Sequence, residues 1–189
     1  TYAAELKDLS LLSPTGEGAG RARLSGRAVL DGPTLASLAV QGTLTSPPGA
    51  RALIPLGEQG TLALDAARLD LGFDETAGTW RAEGTLSAPD WSGGYSARVL
   101  RLDGDGTLSF AEGAALPEAA GGRLSLSAAG IAAQDPGIGA ALGDNLRLST
   151  RFDYAPAQGL SLSDLSVASQ GASLEGSVTL APPLDAPEG

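Results

Sequence analysis

Two carboxylates two residues apart, in Leu102-Asp103-Gly104-Asp105-Gly106, come nearest in this chain to a cation-binding loop. A calcium loop needs a further oxygen position and a terminal glutamate that ligates through both its oxygens. Neither follows here, so the residues read as a polar turn. Gly137-Ile138-Gly139 with Gly143 has the outline of a dinucleotide loop, but the third glycine falls one residue late and no parallel βαβ unit surrounds it. The same residues make a better helix cap. Histidine and cysteine are both absent, which removes the commonest general base, the thiolate nucleophile and the thiolate metal site together. No enzymatic activity, metal or cofactor is expected.

Two other groups have suitable types without suitable company. Trp80 and Trp91, with Tyr95 nearby, have faces that stack on sugar rings, although isolated aromatics of this sort more often anchor a core or a loop. Arg147 and Arg151 share the polar side of one alternating segment, where they can meet a lipid phosphate or a partner carboxylate, or simply be solvated.

The elements that would carry these residues are strands. Aromatics make up 4% and charged residues 18% of 189 residues, with 27 glycines and 12 prolines, an all-β composition with frequent turns. The net charge of -10, with a single lysine at Lys7, argues against a nucleic-acid backbone as partner. No run approaches the roughly 20 apolar residues of a membrane-spanning helix. There is no methionine, so a processed chain or an interior segment of a longer one is expected.

The clearest grammar lies between Gln134 and Leu180. Asp135-Pro136 followed by Gly143 supplies an N-cap acid, a proline at the first helical position and a glycine stop, predicting a two-turn helix at 135–142 with Ile138 and Leu142 on one apolar edge. After it, Leu146, Leu148, Thr150, Phe152 and Tyr154 alternate with Arg147, Ser149, Arg151 and Asp153, as in a half-buried strand. Leu160 and Leu162 continue the alternation, the phase slips at Asp164, and Leu165 and Val167 resume it; a slip of one residue predicts a β-bulge or short kink. Leu174, Gly176, Val178 and Leu180 then read as a hairpin partner.

Earlier segments repeat this pattern at Ala36 to Leu44, Leu62 to Phe73 with a slip at Ala66-Ala67, Trp80 to Ala88, Tyr95 to Phe110 and Leu124 to Ala128. Pro89 to Gly94 and Gly113 to Gly122 read as loops. Leu6-Lys7-Asp8-Leu9-Ser10-Leu11 matches Leu162 to Val167, and Leu24 to Leu30 matches Leu174 to Leu180, which is evidence for internal repetition. Gly-Thr-Leu recurs at Gly42, Gly60, Gly84 and Gly106. Residues 1–181 are expected to form a single repetitive antiparallel meander of about a dozen strands, curled because an open sheet of that count must cover its apolar face. Residues 182–189, rich in proline, are a tail or join.

Asp135-Pro136 with Leu142-Gly143, then Leu146-Arg147-Leu148, Leu160-Ser161-Leu162, Leu165-Ser166-Val167 and Leu174-Glu175-Gly176, resembles the repeats of the TamB family, the AsmA-like translocation and assembly subunits. The resemblance is best over Gly130 to Leu180. It implies a β-taco, a half-pipe with an apolar concave face, in a periplasmic segment of a protein anchored in the inner membrane. It also implies phospholipid acyl chains as cargo and, through regions outside this segment, a TamA-like outer-membrane barrel as partner.

On that reading the groove is lined by Leu24, Ala28, Leu30, Leu38, Val40 and Leu44 in the first third of the chain. Leu62, Leu64, Leu86, Leu100, Leu102, Leu108 and Phe110 follow, then Leu124, Leu126, Leu146, Leu148 and Phe152. Leu160, Leu162, Leu165, Val167, Leu174, Val178 and Leu180 complete it, with Asp135, Ile138 and Leu142 forming a helical cap or plug. The competing expectation is a secreted or surface β-repeat stalk whose apolar face is a closed core. An outer-membrane barrel fits the alternation but lacks aromatic girdles.

Overall fold

The computed structural model describes residues 2–6, 20–31, 34–46, 48–56, 60–74, 78–110 and 117–180, with the backbone alone at 2–6, 30, 31, 34–36 and 117. The Lys7 to Leu11 repeat and the 182–189 tail lie outside the described residues. The fold is all-β, with fifteen strands and one short helix among the described residues. None of these elements is a helix long and apolar enough to cross a membrane.

Ten strands make one antiparallel sheet in which order in space follows order in sequence. They are β1 (Tyr2–Leu6), β2 (Arg21–Asp31), β3 (Thr34–Thr45), β6 (Ala66–Asp74), β7 (Thr79–Ser87), β10 (Val99–Phe110), β11 (Pro117–Ala129), β13 (Asn145–Ala155), β14 (Gly159–Ser169) and β15 (Ser173–Leu180). The alternating segments form the expected meander except at Leu62 to Leu64 and at Tyr95-Ser96, which belong to a second sheet. What the sequence did not announce is that, among the described residues, the chain leaves the ten-stranded sheet three times. It runs out through β4 (Ala52–Pro55) and β5 (Thr61–Leu64), then β8 (Asp90–Trp91) and β9 (Tyr95–Ser96), then β12 (Ala132–Ala133), and these five form a second antiparallel sheet in the order β12-β9-β8-β5-β4.

All three excursions depart from the same end of the large sheet, where Thr45 pairs Ala66, Ser87 pairs Val99 and Ala129 pairs Asn145. The slip at Ala66-Ala67 is thus a change of sheet: β5 ends at Leu64, Asp65 intervenes and β6 begins. The Pro89 to Gly94 loop contains β8, and Gly121 and Gly122 belong to β11. The small sheet packs on the apolar face of the large one through Ala52, Leu62 and Leu64 against Leu44, with Ala22, Ala67, Leu86 and Trp91 around them.

Arg51 fastens the points where the chain changes sheet. Its guanidinium donates to the carbonyls of Ala63 (3.2 Å) and Ala88 and to Asp90 Oδ2 (3.2 Å), and its Nε lies 3.4 Å from Asp65 Oδ1. Ala88 adopts φ 48°, a left-handed conformation that an alanine holds only when its surroundings require it.

The slip at Asp164 is a bulge. Register shifts between Leu162 and Leu165, Asp164 has φ 50°, and the Thr150 hydroxyl lies 3.0 Å from the Ser163 carbonyl oxygen. The helix, α1 (Pro136–Leu142), starts as its cap predicts: Asp135 Oδ1 accepts from Gly137 N (2.7 Å) and Ile138 N (2.9 Å). It ends at Gly143, φ 62°, whose N–H donates to Gly139 O at 2.9 Å.

Candidate functional site

Strand register converts the period-two pattern into rows that cross the large sheet. One row at the covered end reads Ala22, Leu44, Ala67, Leu86, Leu100, Ala128 and Leu146. The next reads Leu24, Gly42, Leu69, Gly84, Leu102, Leu126, Leu148, Val167 and Leu174. Along its first five strands, leucine and glycine alternate. Neighbouring strands are about 4.8 Å apart, so each glycine leaves a hollow between two leucine side chains.

That hollow is a cavity of about 590 Å³ whose walls are almost wholly apolar. Leu24, Leu69 and Leu102 stand around Gly42 and Gly84; Leu44, Ala67, Leu86 and Leu100 form the covered end, and Ile54 of β4 overhangs it. Such a volume falls within the roughly 300–1,000 Å³ usual for small-molecule sites. The two glycines are roomy rather than obligatory. A Cβ on Gly42 would lie 3.7 Å from Leu24 Cδ1, and one on Gly84 would lie 3.6 Å from Leu102 Cβ, both ordinary contacts.

The apolar face is not closed over by the described residues. Leu44, under the small sheet, is 9% exposed, whereas Leu24 is 43%, Leu69 40% and Leu71 38% exposed. Leu174, on the edge strand β15, reaches 60%.

Further along, the face is filled by aromatics in place of a roof. Trp80 on β7 lies over three glycines of β10 and β11. A Cβ on Gly104 would come within 3.0 Å of its ring, one on Gly106 within 2.7 Å of its Nε1 and one on Gly122 within 2.8 Å. The indole N–H donates to Gly121 O at 3.2 Å, and the ring centroid is 5.7 Å from that of Phe152. Phe73 and Phe110 pair similarly at 5.5 Å. Trp80 is therefore a packing residue, and Trp91 packs against the inter-sheet core; neither is a free stacking platform.

The large sheet brings most of the sequence-predicted lining residues to one face. Ala28, Leu38 and Val40 share it with Leu24 and Leu44, and Leu108, Phe110, Leu124, Leu126, Leu148 and Phe152 continue it. Leu160, Leu162, Leu165, Val167, Leu174, Val178 and Leu180 occupy the β14–β15 end, kept in phase by the bulge. The side chain of Leu30 lies outside the described residues.

Two predicted members are elsewhere: Leu62 and Leu64 belong to β5, buried against Leu44, because the chain changes sheet at Asp65. The helix also differs in detail. It docks on the β14–β15 turn through its backbone, with Ala141 O accepting from Ser169 Oγ (2.7 Å) and Gly171 N (3.1 Å). Ile138 is exposed, Leu142 is half-buried, and no residue of α1 lines the cavity. Leu69, Leu71, Gly42 and Gly84 were not singled out as lining, although the Gly-Thr-Leu repeats mark two of them.

No cluster of three or more metal-ligating side chains occurs among the described residues. Comparison with protein-family models, curated proteins and solved structures gives no match.

Proposed function

We propose that this chain is a non-enzymatic lipid-binding segment that shelters acyl chains against the apolar face of its large sheet. One observation carries the reading: a 590 Å³ apolar cavity opens beside leucines left about 40% exposed, where a closed core would bury them. Transferring methylenes from water onto such a surface gives about 0.8 kcal/mol each, on the order of 10 kcal/mol gross for an acyl chain. Release from a conduit requires a much smaller net affinity.

The resemblance to the TamB family extends this proposal. The chain would then be an interior, half-pipe-shaped segment of a periplasmic protein anchored in the inner membrane. It would conduct phospholipid toward the outer membrane and support outer-membrane protein assembly with a TamA-like barrel. The long sequential meander and the apolar face left open by the described residues support that reading. The stalk alternative needs a closed apolar core, which the exposure of Leu24, Leu69 and Leu71 disfavours.

The test is native mass spectrometry with lipid extraction on protein purified from a Gram-negative host. Phospholipid at defined stoichiometry, lost in a folded Leu69→Asp/Leu102→Asp variant, is the expected result. A clean unliganded mass for the parent chain, with no uptake from added phospholipid, would sink the proposal.

A further inference from the structure

The face opposite the cavity is polar, and its arginines fall into register. Arg68 on β6, Arg101 on β10 and Arg147 on β13 lie on one row, separated by Thr85 and Ser127. Arg68 is held by Asp70 at 2.7 Å. Arg51, Arg81, Arg123 and Arg151 likewise each have a carboxylate partner. Arg101 and Arg147 have none among the described residues, nor does Arg98, which precedes β10.

These three arginines border one hollow. Together with Asn145 they line a concavity of about 340 Å³ on a floor of small side chains that includes Ser127 and Ala129, and no acidic residue lines it. In a chain with 22 acidic residues against 12 basic ones, three arginines without a carboxylate partner among the described residues border a hollow that no acidic residue lines, and the carboxylate at its margin, Asp144, accepts from Asn145 Nδ2 at 3.4 Å.

We propose that Arg98, Arg101 and Arg147 bind a phosphate group. Arg101 and Arg147 are two strands apart, roughly 10 Å between backbones. Their long side chains can lean together over the short Ser127 and grip one anion. A carboxylate is satisfied by a single bidentate guanidinium, whereas a phosphate group offers enough acceptor oxygens for several forks. The site lies on the opposite face from the acyl cavity and does not depend on the lipid reading.

The phosphate can be free in solution or carried at a membrane surface, and the experiment separates the two. The full 189-residue chain is titrated with inorganic phosphate, followed by the arginine Nε–H NMR signals. It is also sedimented with phosphatidylglycerol or phosphatidylcholine vesicles in about 0.15 M salt. Saturable binding in either arm is expected: inorganic phosphate identifies a soluble anion, and phosphatidylglycerol vesicles alone identify a membrane headgroup. Arg147→Ser should weaken binding about tenfold. Arg27→Ser, which removes the same charge from another exposed arginine, on β2 and without a carboxylate partner among the described residues, should change it less than about twofold. Both substitutions sit on exposed strand positions, and circular dichroism checks that the fold is kept. Absence of saturable binding in both arms, or equal weakening by the two substitutions, would overturn the proposal.

Discussion

Filling the cavity from its floor separates binding from folding. At Gly42 and Gly84 the backbone is in ordinary strand conformation, and a new Cβ meets nothing closer than 3.6 Å. Glycine inside a strand costs roughly 0.5–1 kcal/mol relative to alanine, and β-branched residues suit strands better still. Gly42→Val and Gly84→Val should each leave folding stability unchanged or raise it by up to about 1 kcal/mol. The two valines occupy hollows between Leu24, Leu69 and Leu102, displacing about four methylenes of a bound chain. At about 0.8 kcal/mol each, that is about 3 kcal/mol, or roughly 100-fold in affinity.

The assay is displacement of a fluorescent fatty-acid probe, with a urea titration on the same samples. Gly106→Val is the contrasting variant from the same Gly-Thr-Leu repeat. Its Cβ would sit 2.6 Å from Gly122 Cα and 2.7 Å from Trp80 Nε1, so it should unfold the chain or displace the tryptophan. A folded Gly42→Val/Gly84→Val protein that binds the probe as tightly as the parent would refute the assignment of this cavity as the acyl site.

Other perturbations test the supports of the cavity. Arg51→Lys keeps the charge but loses the planar fork that reaches Ala63, Ala88 and Asp90; it should cost about 1–3 kcal/mol in chemical denaturation. Trp80→Leu removes the hydrogen bond to Gly121 and uncovers Gly104, Gly106 and Gly122, costing about 2–4 kcal/mol and shifting the thermal midpoint down. Asp135→Ala should cost about 1 kcal/mol and accelerate amide exchange in α1 without affecting probe binding. The hydrogen bond from Arg68, reinforced by its charge, holds the Asp70 carboxyl below its ordinary pKa. A depressed carboxyl contributes stability above its unfolded-state pKa of about 4 and loses it as pH falls through the folded value. Asp70→Asn should therefore flatten stability against pH below about 4, and salt should shrink the difference because the pair is exposed.

The legible parts of the fold were those governed by neighbours in sequence. Asp135 and Gly143 announced α1 because a cap is satisfied within four residues. The Asp164 slip announced a bulge because phase is a local property. The slip at Ala66-Ala67 looked the same, yet there the chain changes sheet, since the pattern records a loss of phase but not which strand is joined next. Leu62 and Leu64 were misplaced for that reason, and Leu69 and Leu71, in phase only after the switch, were overlooked. Arg51 left no trace either: its partners lie at Ala63, Asp65, Ala88 and Asp90, brought together only when the two sheets meet.

The Gly-Thr-Leu repeat shows how one motif serves three purposes under different neighbours. At Gly60, φ is 90° and a Cβ would collide with Ser92 Oγ, so the glycine makes a turn. At Gly106 it lets Trp80 lie flat on the sheet. At Gly42 and Gly84 neither demand applies: the backbone is ordinary, a Cβ would fit, and the glycines leave space between leucines. A sheet selected only for a tight core would fill those positions, since apolar volume there is favourable. The small sheet roofs only the adjacent row, held in place by Arg51, and the unfilled glycine positions begin where its cover stops. Among the described residues, vacant floor and open face coincide along the row from Leu24 to Leu102, which is the arrangement an apolar guest needs and a closed core does not.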